Sequence, residues 1–398
     1  MSIDISQRAA EIKQSATLAI TAKVKELRAE GVDVIGFGAG EPDFDTPGNI
    51  KEAGIESIKS GFTKYTPVGG TAELKKAITE RIKLDYGIEY SPAEVMVSCG
   101  AKHTLYNVAQ AVFNPGDEVI VPSPYWVSYP AQIALAGATP VIAETALKDG
   151  FKLTPGGLKK LISPKTRALI LNYPSNPTGA TYDEKELAEI AGVATEAGIF
   201  IVSDEIYDKI LYGGAKHTPV AALGDDVREN SILVNGVSKS YSMTGWRIGY
   251  AAANADVISA MSRIQGQCTS NPPSMAQVAA AEALSGSQEV VERRAEEFER
   301  RRDFIVSRVR EIGFECLTPS GAFYIFPSAG NFIGKKFGDG EIKDSVTLAE
   351  FLLNQAKVAV VPGVEFGMEN HLRISYATSM ENIEEGMVRI EKALALLS

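Results

Sequence analysis

Short continuous apolar runs separated by longer amphipathic stretches set the pattern of this chain. Val95-Met96-Val97-Ser98, Val119-Ile120-Val121, Arg167-Ala168-Leu169-Ile170-Leu171, Ile199-Phe200-Ile201-Val202-Ser203 and Ser231-Ile232-Leu233-Val234 are the clearest of them. Each is too short for a core helix and bounded by turn residues, which predicts strands buried on both faces. Helices are expected from Pro47 to about Ser60, from beyond the Lys64–Gly70 loop to about Tyr86, from Gly100 to near Phe113, and from Asp183 to Ala197. Strands alternating with helices over residues 46–288 predict an α/β domain: a mostly parallel sheet covered by helices, with ligands at the strands' carboxyl ends. Gln7 to Glu30 reads as a helical arm, and Gly31 to Ile35 as a turn into a short strand. After Ser285 comes a Glu/Arg-rich helix, Glu289–Glu311, whose charges read as a solvated face. Short strands at Phe314–Leu317, Ala322–Phe326, Val358–Val361 and His371–Ser375, then a helix from Ser379, predict a smaller α+β domain over 289–398, joined by part of the 1–45 arm segment.

Composition narrows the class. A length of 398 residues with 45% hydrophobic content is enough for roughly two domains with full cores. A net charge of -10 argues against nucleic acid or an anionic membrane as partner. No apolar run approaches the roughly 20 residues of a membrane span, and the first residues lack the apolar core of a secretory signal. Cys99, Cys268 and Cys316 are far apart and odd in number, and His103, His217 and His371 show no ligand spacing. A reducing cytoplasm and no metal site are the expectation.

Candidate chemistry gathers at the predicted strand ends. Lys239 follows an apolar strand in a turn of small residues, a setting for a desolvated amine able to do Schiff-base chemistry. Asp204 directly follows a buried strand and needs a cation to offset its burial. The turn Cys99-Gly100-Ala101-Lys102 joins a strand to a helix and offers free N–H groups to a phosphate. Cys99 and His103 are too close along this turn for a catalytic dyad and read as packing residues. Trp126 lies on a loop after a strand, where it could stack on a planar ring or pack in the core. In Gly36-Phe37-Gly38-Ala39-Gly40-Glu41-Pro42 the GxGxG spacing and the proline exclude a dinucleotide loop, which needs a helix to open there. Arg373 sits in an otherwise apolar strand and needs an anion, either a structural partner or a ligand.

Four motifs in order carry a family resemblance over essentially the whole chain: GEPDF, SNPTG, DExY at Asp204–Tyr207, and Ser-Lys followed by TGWRIGY. They resemble the class I pyridoxal-phosphate aminotransferases of fold type I, and most closely the prokaryotic aspartate aminotransferase branch, subgroup Ib. The resemblance implies pyridoxal 5'-phosphate carried by Lys239, with Arg247 on its phosphate and Gly100, Ala101 and Lys102 cradling it. It implies Trp126 stacked on the ring, Asp204 on the ring nitrogen, Asn176 and Tyr207 on the ring oxygen, and Tyr65 reaching the phosphate of a second subunit in a homodimer. DExY alignment, not physics, prefers Asp204 to Glu205. Lys239, Asp204 and Tyr207 are then the catalytic set, and Gly40, Trp126, Asn176 and Arg373 bind the substrate, Arg373 through its α-carboxylate. Gly236 departs from the pattern, since many relatives have serine three residues before the lysine. The branch favours dicarboxylic amino acids with 2-oxoglutarate, some members taking prephenate, and Lys13 and Thr17 in the arm resemble positions linked to the second carboxylate. A carbon–sulfur lyase or an aromatic aminotransferase would reuse the same cofactor residues.

Overall fold

The computed structural model describes residues 5–12 and 16–398. Seven strands form the central sheet: β1 (Val95–Ser98), β2 (Glu118–Ser123), β3 (Thr139–Glu144), β4 (Thr166–Asn172), β5 (Phe200–Asp204), β6 (Ser231–Gly236) and β7 (Gly249–Ala253). Their order across the sheet is β1-β7-β6-β5-β4-β2-β3, and only β7 runs against its neighbours. The apolar runs are strands because nothing in them faces water: every residue of β1, β6 and β7 is buried. Helices cover both faces and bury separate apolar layers against the sheet, one around Leu74, Ile78 and Leu233, others around Val108, Val121 and Ile232 and around Leu169, Leu187 and Ile201. Helix ends follow local chemistry. Asp183 and Glu186 exchange side-chain-to-backbone bonds to open Glu184–Glu196, and Ser379 caps Met380–Leu394.

Reversal of β7 decides where the site lies. Ser98 and Gly236 both pair with Gly249, so β7 begins at the edge where β1 and β6 end. The Gly245-Trp246-Arg247-Ile248 turn therefore enters the same edge as the loops after β1, β4, β5 and β6. A side chain at 249 is impossible without movement, because a Cβ there would lie 2.2 Å from the Ala101 backbone nitrogen. Only glycine lets the helix Ala101–Val112 begin directly against the sheet.

The remaining elements form a second apolar body. A three-stranded antiparallel sheet places Leu372–Ser375 between Val361–Pro362 and Tyr324–Ile325. Ile35–Gly36 pairs in parallel with Val358–Ala359. Both lie against the helices Glu289–Ile312 and Met380–Leu394 around Phe37, Phe298, Ile305, Tyr324, Ile374 and Ile383. No helix among the described residues is long and apolar enough to cross a membrane.

Four expectations change. The arm is not one helix: Gln7–Glu11 ends at an extended Ile12, and a second helix runs Ala16–Ala29. Phe314–Leu317 makes only an isolated bridge, Glu315 to Ser328. Val358–Val361 is divided between two sheets, because its successive residues pair with different partners. Finally, the charged helix is not solvated throughout. Arg301 and Arg302 are buried, held by Asp43, Glu297, Glu299, Asp303 and the Pro319 carbonyl, with Arg301 stacked between Phe44 and Phe298.

Gly249→Ala is expected to destabilise the fold by about 2 kcal/mol or more, since backbone and not a flexible side chain must move. Denaturant unfolding checks this; an unchanged midpoint and slope would contradict the close approach.

Candidate active site

Desolvation governs the chemistry at this edge. Lys239 follows β6, where the apolar strand gives way to Val237-Ser238, and its amine donates to the Gly40 carbonyl at 2.6 Å. It lies in a cavity of about 400 Å³. Burial lowers its pKa from 10.5 to about 8, opposed chiefly by the Glu41 carboxylate. A lysine so placed is partly neutral near physiological pH and has a lone pair to offer.

Asp204 closes β5 and faces the same cavity. No cation among the described residues approaches within 4.0 Å, and its support is instead a phenol: Tyr129 donates to Oδ2 at 2.6 Å. Burial raises its pKa from 3.8 to about 6, which the Tyr129 hydrogen bond resists. The neighbouring Glu205 does not line the cavity. It is wholly buried and accepts from Ser203 at 2.7 Å and Tyr173 at 3.2 Å, with His217 Nε2 at 2.9 Å. Geometry thus presents Asp204, not Glu205, to a ligand.

Arg373 is 2% exposed and has no carboxylate partner among the described residues. It donates to Asn176 Oδ1 at 3.0 Å and to the Gly38 carbonyl at 2.7 Å, and its guanidinium lies over the rings of Tyr324 and Phe366. Nε finds no acceptor among the described residues. A buried guanidinium offset by carbonyls and aromatic faces alone is short of one anion, so the structural ion pair is not what this strand holds. Since arginine only donates, Asn176 must turn its oxygen toward Arg373, which leaves Nδ2 as a donor for a ligand.

At the far end, Gly100 adopts φ +88 and opens the helix Ala101–Val112. His103 and Thr104 return their N–H groups to the Gly100 carbonyl, so the first free N–H groups are those of Ala101 and Lys102. Arg247 sits at φ +59, a left-handed conformation unusual for a side-chain-bearing residue, and donates to the carbonyls of Thr244 at 2.9 Å and Cys99 at 3.3 Å. A Cβ at residue 100 would fall 2.4 Å from Arg247 Nη2, so glycine also admits the guanidinium. The departure at Gly236 has a steric reason in this chain, where a Cβ would meet the Ile248 carbonyl oxygen at 2.8 Å. Cys99 donates its N–H to His103 Nδ1 at 3.2 Å, so the imidazole caps the turn and activates no thiol.

Of the residues singled out from sequence, Gly40, Ala101, Lys102, Trp126, Asn176, Asp204, Tyr207, Lys239, Arg247 and Arg373 line one cavity, with Gly100 directly behind it. Thr17 lines it too, while Lys13 lies outside the described residues. Tyr65 does not join this chain's cavity and is 92% exposed. Sequence reading missed Tyr129, Tyr324 and Asn172. Tyr324 meets the Tyr207 hydroxyl at 2.9 Å. The one signal for Tyr129 was its place three residues beyond Trp126 at a helix start.

Comparison with known proteins shows the family. The family model for aminotransferase class I and II matches residues 32–390, so the chain belongs to that family, whose chemistry runs on pyridoxal phosphate. An aspartate aminotransferase of Bacillus sp. (strain YM-2) is 50% identical over 389 residues, covering 98% of each chain. A probable aspartate/prephenate aminotransferase of Rickettsia bellii is 50% identical over 396 residues, 99% of each. The crystal structure of the Rhizobium meliloti aspartate aminotransferase superposes with a TM-score of 0.96 at 41% identity, covering 100% of both chains.

In the cofactor-free enzyme, Asp204 binds a proton more tightly folded than unfolded. Its contribution to stability is complete below pH 3.8 and is lost as pH rises through about 6. Relative to Asp204→Asn, the parent chain should therefore lose about 2 kcal/mol between pH 4 and pH 7. Urea unfolding of both at pH 4 and pH 7 measures this; a pH-independent difference would contradict it.

Proposed function

We propose that this enzyme transfers the amino group between L-aspartate and 2-oxoglutarate, with prephenate as a further acceptor, using pyridoxal 5'-phosphate held on Lys239. The observation that carries the reading is Lys239 itself: a half-buried amine with pKa about 8, in one cavity with a carboxylate and an arginine that each lack an ionic partner among the described residues. The donor set fits the cofactor. Arg247 and the N–H groups of Ala101 and Lys102 suit a phosphate dianion, and a planar guanidinium suits it bidentately. Asp204 suits a protonated ring nitrogen, Asn176 Nδ2 and the Tyr207 hydroxyl suit the ring oxygen, and Trp126 offers a face to the ring.

When bound, the cofactor supplies a carbonyl that takes up the amino group and a ring that draws electrons from the carbon losing its proton. Lys239, about half neutral at pH 8, takes that proton on Nζ and returns it to the acceptor carbon. Asp204 keeps the ring nitrogen protonated. Arg373 and the Gly40 backbone hold the substrate α-carboxylate and so fix which bond is presented for cleavage.

A second carboxylate needs a second cation, and Lys102 is positioned to supply it. Its amine stands 4.9 Å over the Trp126 ring, lines the cavity and has no acidic partner among the described residues. Lys13 and Thr17 remain candidates from the arm. The names of the relatives, aspartate and aspartate/prephenate aminotransferase, support the same substrate class. The exposure of Tyr65 suits a role in the site of a second copy, and we place the working enzyme as a homodimer on that basis. The two apolar bodies support a division into a large domain, 46–288, and a small one built from 289–398 and part of 1–45. Three cysteines, none disulfide-bonded, suit the cytoplasm.

Lys102→Ala is expected to raise KM for aspartate about tenfold, near 1.4 kcal/mol, and leave phenylalanine unaffected. Steady-state kinetics with aspartate, phenylalanine and prephenate test this. Equal turnover of aspartate and phenylalanine by the parent enzyme would overturn the dicarboxylate reading.

A further inference from the structure

We propose that Asn172 is a positioning residue that couples the two ends of the site, tying the strand end that carries Asp204 to Asn176 and, through Asn176, to Arg373. Asn172 is the last residue of β4 and stands in register with Asp204, the last residue of β5. Beyond that rung the ladder stops, and the Asn172 side chain continues it. Its Nδ2 donates to the Asp204 carbonyl at 3.0 Å, and its Oδ1 accepts from the Asn176 N–H at 2.8 Å.

Polarity leaves only one arrangement. A carbonyl can only accept and a backbone N–H can only donate, so Asn172 cannot turn over without losing both bonds. Asn176 is fixed in the same way: Arg373 only donates, and its Nη1 holds Asn176 Oδ1 at 3.0 Å. Arg373 is anchored in turn on the Gly38 carbonyl at 2.7 Å. One continuous line of hydrogen bonds, each of single polarity, thus runs from the Asp204 peptide to the Gly38 loop. A carboxylate that draws on Arg373 pulls on Asn176, and Asn172 passes the displacement to the peptide that aims the Asp204 carboxylate. By reciprocity, seating the ring on Asp204 sets Arg373 for the carboxylate.

The inference rests on the reading of Asp204 as the ring partner and Arg373 as the carboxylate binder. Its test is the ratio of pyridoxal-phosphate dissociation constants of the enzyme without and with saturating maleate, a dicarboxylate with no amino group to react. In the parent enzyme maleate should tighten cofactor binding about fivefold, the low end of couplings between sites. In Asn172→Leu the ratio should fall to about one. A purely structural role would weaken both ligands yet keep the parent ratio, and that result, or a ratio of one in the parent, overturns the proposal. The leucine variant leaves the Asp204 carbonyl its bond from the Tyr173 N–H at 3.3 Å. Should it still fail to fold, Asn172→Ala decides by the same ratio, since it removes both bonds while adding neither bulk nor charge. Two controls separate this failure from failure of the underlying reading: Asp204→Asn must weaken the cofactor and Arg373→Lys must weaken maleate. If either constant stays at the parent value, the role of that residue is wrong and the coupling falls with it.

Discussion

Charges largely withdrawn from water, and kept from cancelling one another, are the constraint on which this structure turns. Lys239, Asp204 and Arg373 share one cavity, yet none of them forms an ion pair within 4.0 Å among the described residues. Pairing them would be the easier fold, because a buried charge without a partner is costly. The chain stabilises each with neutral groups instead: the Gly40 carbonyl for the lysine, the Tyr129 phenol for the aspartate, carbonyls and aromatic faces for the arginine. Such partners hold a charge in place without satisfying it. What remains is a cavity with an amine, a carboxylate and a guanidinium all available to a ligand, a demand that the proposed cofactor and substrate would meet.

The scaffold meets this demand with strand ends. Six strands run parallel, five of them (β1, β2, β4, β5 and β6) deliver site-bearing loops to one edge, and the single reversed strand brings Arg247 to it from the other direction. Helix Ala101–Val112 can start there only because glycines stand at 100 and 249. Arg373 comes from a strand of the other apolar body, and Tyr207, from the loop after β5, packs into that body's core and meets Tyr324 there. Its polar groups are positioned by rigid elements on all sides, which is what orientation of a reacting bond requires.

Much of this was legible in the sequence. The buried strands announced themselves as uninterrupted apolar runs, and residues at their ends proved to converge. β7 was not legible: Gly249-Tyr250-Ala251-Ala252-Ala253 has little strand propensity, and its place comes from burial between β1 and β6. Burial of Arg301 and Arg302 was likewise hidden, since a charged helix face looks the same whether solvent or Asp43 and Phe44 lies opposite. Asn172 carries no local signal and Tyr129 only its place at a helix start beyond Trp126, because their meaning depends on which strand ends lie beside β5. Arg373 was the informative case between these extremes. Its sequence context demanded an anion without naming it, and the absence of a protein carboxylate within 4.0 Å among the described residues narrows the demand to a ligand.

Chemical trapping tests the central claim most directly. Borohydride reduction of the cofactor-loaded enzyme fixes the cofactor to whichever amine holds it, and peptide mass spectrometry locates the label. The account predicts a single pyridoxyl group on the peptide carrying Lys239. A label on Lys102, or none after reduction, would contradict it.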